Sequence, residues 1–423
     1  MLNTVFRAYA SSSLALKVDS WPEKIFRRTV WLIDFLESTI IFHTRRFLLA
    51  LRRAKQPISE TEWQLLNDTL LAVYCLKANG LTFDFMTFLG IVEMERRRCR
   101  LKSCKVILYA PLEFPIYQWQ RHKVFNNMNE QPLIRAKREH VLAYVIKLAD
   151  VARIFSTTMR SEVVCDWMEL IDAVYDSPHT FPPSSRWTGR FCNMTEYATY
   201  SRMRFQINDG QNAVSAPRHY ILGSWFSEKI SSGKLIVTLN LRNQKYATSR
   251  NASLNYWEEF FSNAFIKKHF HFIVFNDAEM PVTIKDTECI TFCDKYIHDN
   301  FRRFKVFLNV GLHIGTVSGS SAIVLYSDVA YLLFGPLSVE DMKAHLDLDS
   351  ASIEEDYLYF DKCRRHQVFS LKCDRIMDGV HLLLSNITKS PHVLDRYPDT
   401  VRAKLSEVLL DWPSQLSVKQ YLC

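Results

Sequence analysis

The pattern of apolar and polar positions divides this chain into stretches with different periods. Between Lys234 and Pro336, short apolar runs alternate with helix-period segments. The runs are 235–242, 271–276, 313–317 and 330–334, and the helices between them fall near 251–265, 297–308 and 321–329. Uninterrupted apolar strands separated by amphipathic helices predict a parallel sheet with crossover helices. Upstream, Phe26, Val30, Ile33, Ile40, Phe47 and Leu51 recur at helical spacing across 23–53. Ser59 and Glu62 form a capping box, with Ile58 and Trp63 placed as a hydrophobic staple, and the helix they open is predicted to run to Ala78. A third helix is expected over 84–100, so the first hundred residues read as helical. Lys105–Tyr109 and 162–165 read as strands, 130–158 and 217–231 as helices, and helical patterns return near 374–386 and 399–411.

These periods predict an α/β protein in four parts. Residues 1–103 form a helical N-terminal extension, 104–215 an α/β domain, 216–336 a Rossmann-like domain and 337–423 a C-terminal helical segment. A chain of 423 residues exceeds one compact core, which fits more than one packing unit.

Composition narrows the function classes. The chain is 48% hydrophobic and 13% aromatic, hence globular. Of its net charge of +8, six units come from residues 1–103, which hold 16 Lys and Arg against 10 Asp and Glu. The paired arginines 27–28, 45–46 and 52–53 make 23–53 a basic amphipathic helix. Such a helix either lies on an anionic membrane surface or faces the core with a solvated basic side. No zinc-finger spacing or RNP-like motif supports a nucleic-acid partner, and none is expected. The ten cysteines contain no CxxC pair and no His at zinc-site distance, so reduced thiols and no metal are expected. The opening 18 residues lack a secretory apolar core, and the apolar run 29–51 is broken by charges. A cytoplasmic protein, with peripheral association at the inner face of the membrane, is the expectation.

The candidate chemistry lies where the predicted strands end. In open parallel sheets, ligands bind beyond the carboxyl ends of the strands. Arg242 ends the first run, Asp277 follows the second, and Ser318-Gly319-Ser320-Ser321 follows the third. Seven of the eleven glycines lie between Gly210 and Gly335, as tight strand-to-helix turns require. A strand-end Arg can hold a diphosphate bidentately, and a helix start at Ser320 or Ser321 can present N–H groups to it. Arg242 can equally be a surface ion-pair partner, Asp277 a turn residue and Ser320 or Ser321 a helix cap. Arg302, Arg303 and Lys305 read as a solvated helix face. No GxGxxG and no P-loop lysine are present, against dinucleotide and ATPase sites.

The string Val237-Thr-Leu-Asn-Leu-Arg242, then Tyr246, Ser249-Arg-Asn-Ala-Ser253, Trp257 and Asp277, resembles glycosyltransferase-like proteins of bacterial surface-polysaccharide loci. Those are distantly similar to the second Rossmann half of GT-B fucosyltransferases. The match covers about residues 216–336. It implies a GT-B-like pair of Rossmann-type domains, and a nucleotide sugar as donor substrate rather than a tightly bound cofactor. Arg242, Arg250, Asn251, Asp277, Ser318, Gly319, Ser320 and Ser321 would hold that donor. The acceptor would be a glycan or lipid-linked, and the catalytic base stays open, with Glu113, Asp176 and His179 as candidates. Ser318-Gly319-Ser320 stands where the family has Asn-Gly-Pro, Asn243 where it often has Glu, and the fucosyltransferase His-x-Arg-x-Gly-Asp motif is missing. A non-catalytic binding protein on the same scaffold is therefore the alternative.

Overall fold

The computed structural model describes residues 40, 43–75, 84–110, 146, 149–156, 158–181, 233–243, 251–276, 282–285, 287–293, 299–316, 321–335, 352–354, 357–359, 367–370 and 375–413. In chain order, the N-terminal elements are α1 (43–55), α2 (Glu60–Asn67), β1 (Thr69–Cys75), α3 (Asp84–Arg98), β2 (Ser103–Tyr109), α4 (Ala152–Phe155), β3 (Met159–Val164), α5 (Trp167–Tyr175) and β4 (Thr180–Phe181). The chain forms two compact units. The first takes Met1–Leu81, Met94–Ala149 and Thr158–Tyr197, and the second takes the rest.

The first unit holds a four-stranded sheet of order β3-β2-β1-β4, with every pairing parallel. Its core gathers Leu71, Val73 and Cys75 of β1, Ile107 and Tyr109 of β2, Val164 of β3, and Leu170, Ile171 and Val174 of α5, with Leu49 of α1 against them. α5 starts at Asp166, whose carboxylate accepts the N–H groups of Met168 and Glu169. α1 docks through ion pairs to the same helix. Arg45 holds Asp172 with two bonds, of 2.7 and 2.6 Å, and Arg53 holds Asp176 in the same forked way.

This unit corrects the expectation of a wholly helical first hundred residues. The capping box forms, with the Ser59 hydroxyl accepting the Glu62 N–H, but Trp63 stays 48% exposed and completes no tight staple. α2 then stops at Asn67 instead of Ala78. Leu70 to Cys75 are all buried in β1, one of the two inner strands of the sheet. A short continuous apolar run fits a buried helix and a buried strand equally well, and here pairing with β2 and β4 decides it.

The second unit contains β5 (Leu235–Asn240), α6 (Leu254–Ser262), α7 (Ala264–His269), β6 (Phe270–Phe275), β7 (Ile290–Phe292), α8 (Asn300–Val310), β8 (Leu312–Thr316), α9 (Ala322–Leu325) and β9 (Ala330–Phe334). β10 (Ser352–Glu354), β11 (Tyr357–Tyr359), β12 (Gln367–Ser370), α10 (Ile376–Thr388), α11 (Pro391–Leu394) and α12 (Asp399–Leu410) follow. The sheet order is β10-β11-β12-β9-β8-β5-β6-β7. All pairings from β12 to β7 are parallel, while β11 runs antiparallel to both of its neighbours, β10 and β12. The predicted strands of 234–336 are therefore present, parallel and buried. Burial on both faces explains their uninterrupted apolar character. β10, β11 and β12 correct the expectation of a helical segment after residue 337. Their short runs sit among acidic residues that obscure the alternation.

An aromatic cluster fixes α6 on this sheet. Trp257 meets the Phe334 ring edge-on at 5.7 Å, and Phe260 and Phe261 meet Phe272 at 5.5 and 5.3 Å. α8 ends at Gly311, whose φ of 71° is the left-handed cap that glycine adopts without strain. β8 begins at the next residue, so α8 lies tightly along the sheet. Among the described residues, no helix is long and apolar enough to cross a membrane. The predicted helices over 217–231 and most of 130–158 lie outside the described residues, as do residues 23–39 of the basic helix.

Candidate functional site at the β5–β8 junction

Counted from β5, the parallel strands β5, β6, β7, β8, β9 and β12 have the spatial order 3-2-1-4-5-6. That is the Rossmann-type order. The chain leaves β5 toward β6 on one side, then crosses to β8 on the other. Helices on the two sides diverge at such a reversal, and the crevice between them is where ligands bind. The first unit shows the start of the same order, 3-2-1-4, in β3-β2-β1-β4.

Arg242 lies two residues beyond β5 and is only 3% exposed. Its N–H donates to Thr316 Oγ1 at the end of β8, at 2.7 Å, and its carbonyl accepts the Ala252 N–H at 2.8 Å. The first bond links the two strand ends across the reversal, and the second brings the segment with Asn251 to the same place. Ser321 is also here and buried. Its hydroxyl donates back to the Thr316 carbonyl at 3.3 Å, and Asn240 Nδ2 reaches Ser321 Oγ at 3.5 Å. Of the predicted residues, Arg242, Asn251 and Ser321 are thus brought together. Arg250, Asp277, Ser318, Gly319 and Ser320 lie outside the described residues.

One element of the expected chemistry is corrected. The helix after Ser321 is a single turn, Ala322–Leu325, and Ser321 makes no side-chain cap to it. Four residues carry too few aligned peptide dipoles to act as an anion-binding helix start. A phosphate site here must rely on side chains and strand-end backbone.

The residue that pattern reading missed is Arg303. It was expected on a solvated face, yet it is 2% exposed, while Arg302 and Lys305 are exposed as expected. Its Nη2 donates to Asn240 Oδ1 at 2.6 Å, and its guanidinium lies 5.2 Å from the Phe275 ring centre and 5.8 Å from that of Phe307. Cation–π contact and a charge-assisted bond together hold a buried cation beside the end of β5. The Asn240 amide is thereby oriented, its oxygen toward Arg303 and its nitrogen toward Ser321.

His313 sits behind this cluster, fully buried on β8. Thr238 Oγ1 donates to the Leu312 carbonyl at 3.0 Å, which leaves it to accept the His313 Nδ1–H at 2.9 Å. The neutral tautomer with the proton on Nδ1 follows. Burial, and then the Arg303 charge, push the imidazole pKa down to about 3. Gly315, two residues on, faces Asn240 so closely that a Cβ there would come within 2.5 Å of the Asn240 carbonyl oxygen. The two strands meet more tightly at this point than any side chain permits.

Two of the candidate bases, Asp176 and His179, belong to the first unit. Asp176 is held by Arg53 in the first unit, and Glu113 lies outside the described residues. His179 lies just before β4, where its carbonyl accepts from Leu71 and Ser177. A separate grouping of His269, Glu407 and Asp411 brings potential ligand atoms within 4.8 Å of one another. Ammonium groups already occupy it: Lys268 bonds Asp411 at 2.9 Å and Lys404 bonds Glu407 at 2.6 Å. Burial, followed by these two lysines, lowers the His269 pKa. The grouping reads as ion pairing at a helix end rather than a metal centre.

No protein-family model matches the chain, and no curated protein does. A search of solved structures returns the glycosyl transferase family 9 structure from Veillonella parvula DSM 2008, with TM-score 0.35 and 9% identity. The alignment covers 75% of this chain and 97% of that one.

Proposed function

We propose that this chain is a glycosyltransferase whose second unit binds a nucleotide-diphosphate sugar at the β5–β8 junction. The observation that carries the reading is the reversal of strand order at β5 and β8, with Arg242 directly beyond it. The motif resemblance over 216–336 points to the same place. In the transfer, an acceptor hydroxyl attacks the anomeric carbon and gives its proton to a general base, the bond from that carbon to the diphosphate oxygen breaks, and the nucleoside diphosphate departs with the negative charge. Arg242 would stabilise that charge, with Arg303 bonded to the Asn240 amide at the end of the same strand. The pair of Rossmann-type units would follow the GT-B plan, with the first unit presenting a glycan or lipid-linked acceptor.

One observation favours the second reading, a non-catalytic binding protein. Arg242 and Arg303 are 3% and 2% exposed, so both guanidiniums already lie within the protein.

Calorimetric titration with GDP-, UDP- and dTDP-sugars separates the readings. Wild type is expected to bind one of them, and Arg242→Ala to bind it about ten- to a hundredfold more weakly, the equivalent of roughly 1.5–3 kcal/mol for charge-assisted bonds. Arg242→Lys should also bind more weakly, because a point charge does not reproduce a planar fork. Thermal melts establish that both variants fold. Equal binding by Arg242→Ala refutes the site. Binding without nucleoside diphosphate release in the presence of acceptor glycans favours the non-catalytic reading, and binding of none rejects the donor assignment.

A further inference from the structure

The basic helix α1 is turned the opposite way from an ordinary core-facing helix. Residues four apart share a helix face, and Arg45, Leu49 and Arg53 make up the inward one. Leu49 is 5% exposed in the core, while the two arginines fork onto Asp172 and Asp176. The far side is mainly apolar, with His43 and Lys55 at its two ends. Phe47, Leu48 and Leu51 are 63%, 50% and 48% exposed, and Ile40, ahead of α1 in the chain, is 65% exposed. Six of the ten large apolar side chains exposed among the described residues fall within 40–65. They are therefore concentrated on this part of the chain rather than scattered singly.

What surrounds the stripe identifies its occupant. Arg52 and Lys55 are exposed beside it, as is Arg46, which lies 5.8 Å from the Tyr175 ring centre. No carboxylate occurs from residue 38 to residue 59. A second copy docked stripe to stripe would bring two such sets of cations together without an acid between them. A surface that is apolar below and anionic above satisfies both features at once. The apolar side chains enter the acyl boundary, and the long cations reach the headgroups. We infer that α1 is an interfacial anchor that seats the first unit on an anionic lipid bilayer through Ile40, Phe47, Leu48 and Leu51. The forked pairs to Asp172 and Asp176 hold the helix in that orientation. This inference is independent of the donor site.

The test is flotation of the full chain with vesicles of phosphatidylcholine alone, and of phosphatidylcholine mixed with phosphatidylglycerol. Wild type should float with the mixed vesicles and far less with the neutral ones. Phe47→Ser/Leu51→Ser should lower the partition at least tenfold, about what the loss of two inserted apolar side chains implies. Arg52→Glu/Lys55→Glu should lower it further than the roughly fivefold expected for each cation removed. All four residues are exposed, so the variants should melt with wild type, and a melt confirms it. Absence of flotation with the mixed vesicles overturns the inference, as does equal flotation with both vesicle types or an undiminished Phe47→Ser/Leu51→Ser variant. A wild-type dimer in sedimentation that Phe47→Ser/Leu51→Ser dissociates would assign the stripe to a second copy and overturn it too.

Discussion

Gly315→Ala tests the geometry on which the site depends. Gly315 pairs with Asn240 across the β5–β8 junction. A Cβ at this position would lie 2.5 Å from the Asn240 carbonyl oxygen, 3.2 Å from its nitrogen and 3.3 Å from His313 Nε2. Ordinary contact begins near 3.4 Å, so the strands must separate by about 0.9 Å or the ladder must tilt. The obstructing atoms are backbone within a parallel sheet and do not swing aside as a flexible side chain would. Overpacking of this kind costs about 1–3 kcal/mol, offset by about 0.4–1 kcal/mol because alanine restricts the unfolded chain more than glycine. A net loss of up to about 2.6 kcal/mol in a unit of this size lowers the melting temperature by up to roughly 10 °C. The same displacement moves Arg242 relative to Thr316, so donor affinity should fall as well. Differential scanning calorimetry with and without ligand reads both effects. Gly233→Ala is the control, since that residue has a φ of 69° and nothing within 4 Å of an added Cβ. Its cost is backbone strain alone, about 1–2 kcal/mol, with no effect on binding. If Gly315→Ala melts above wild type, β5 and β8 do not meet as described and the junction is no longer a credible site.

Two further measurements bear on the buried charges. Arg303→Lys should lose the Nη2 bond to Asn240 and weaken the cation–π contacts with Phe275 and Phe307, reducing thermal stability by about 1–3 kcal/mol and weakening donor binding, whereas an unchanged melt would show that Arg303 does not order Asn240. For His313, the folded pKa near 3 lies below the unfolded value of 6.5, so the unfolded chain takes up the proton first. Stability should therefore fall as pH drops below about 6.5 and continue falling toward 3, and His313→Gln should shallow that slope in melts at successive pH values. A slope unchanged by the substitution would show that His313 is not the neutral imidazole described here.

The parallel sheet of the second unit was legible because double-sided burial writes itself as continuous apolar runs. β6, with Phe270 through Phe275 all buried, can scarcely be anything else. The identical signal misled at Leu70–Cys75, since an apolar run of that length after a real N-cap continues a helix on paper as readily as it starts a strand. Only pairing with partners more than thirty residues away distinguishes them, and no local pattern contains that information. β12 escaped for the opposite reason. It joins β9 as the sixth parallel strand through four residues, too few to register a period.

The site divides along the same line. Arg242 was readable because its place depends only on where one strand stops. Arg303 was not, because its place depends on how wide a face α8 buries. The apolar stripe of Phe301, Phe304 and Leu308 predicts a narrow contact. In the structure Asn300, Arg303, Phe304, Val306, Phe307, Leu308 and Val310 are all buried. A helix capped by Gly311 and followed at once by a strand has no slack to stand away from the sheet, and that short connection was the available clue. The same reasoning explains α1, where five basic residues among apolar ones suggested a solvated cationic side. Two carboxylates on α5, at Asp172 and Asp176, draw Arg45 and Arg53 inward and leave Phe47 and Leu51 facing out. In both helices, burial follows the partner that the fold supplies, and amphipathic spacing alone does not say which face that partner will take.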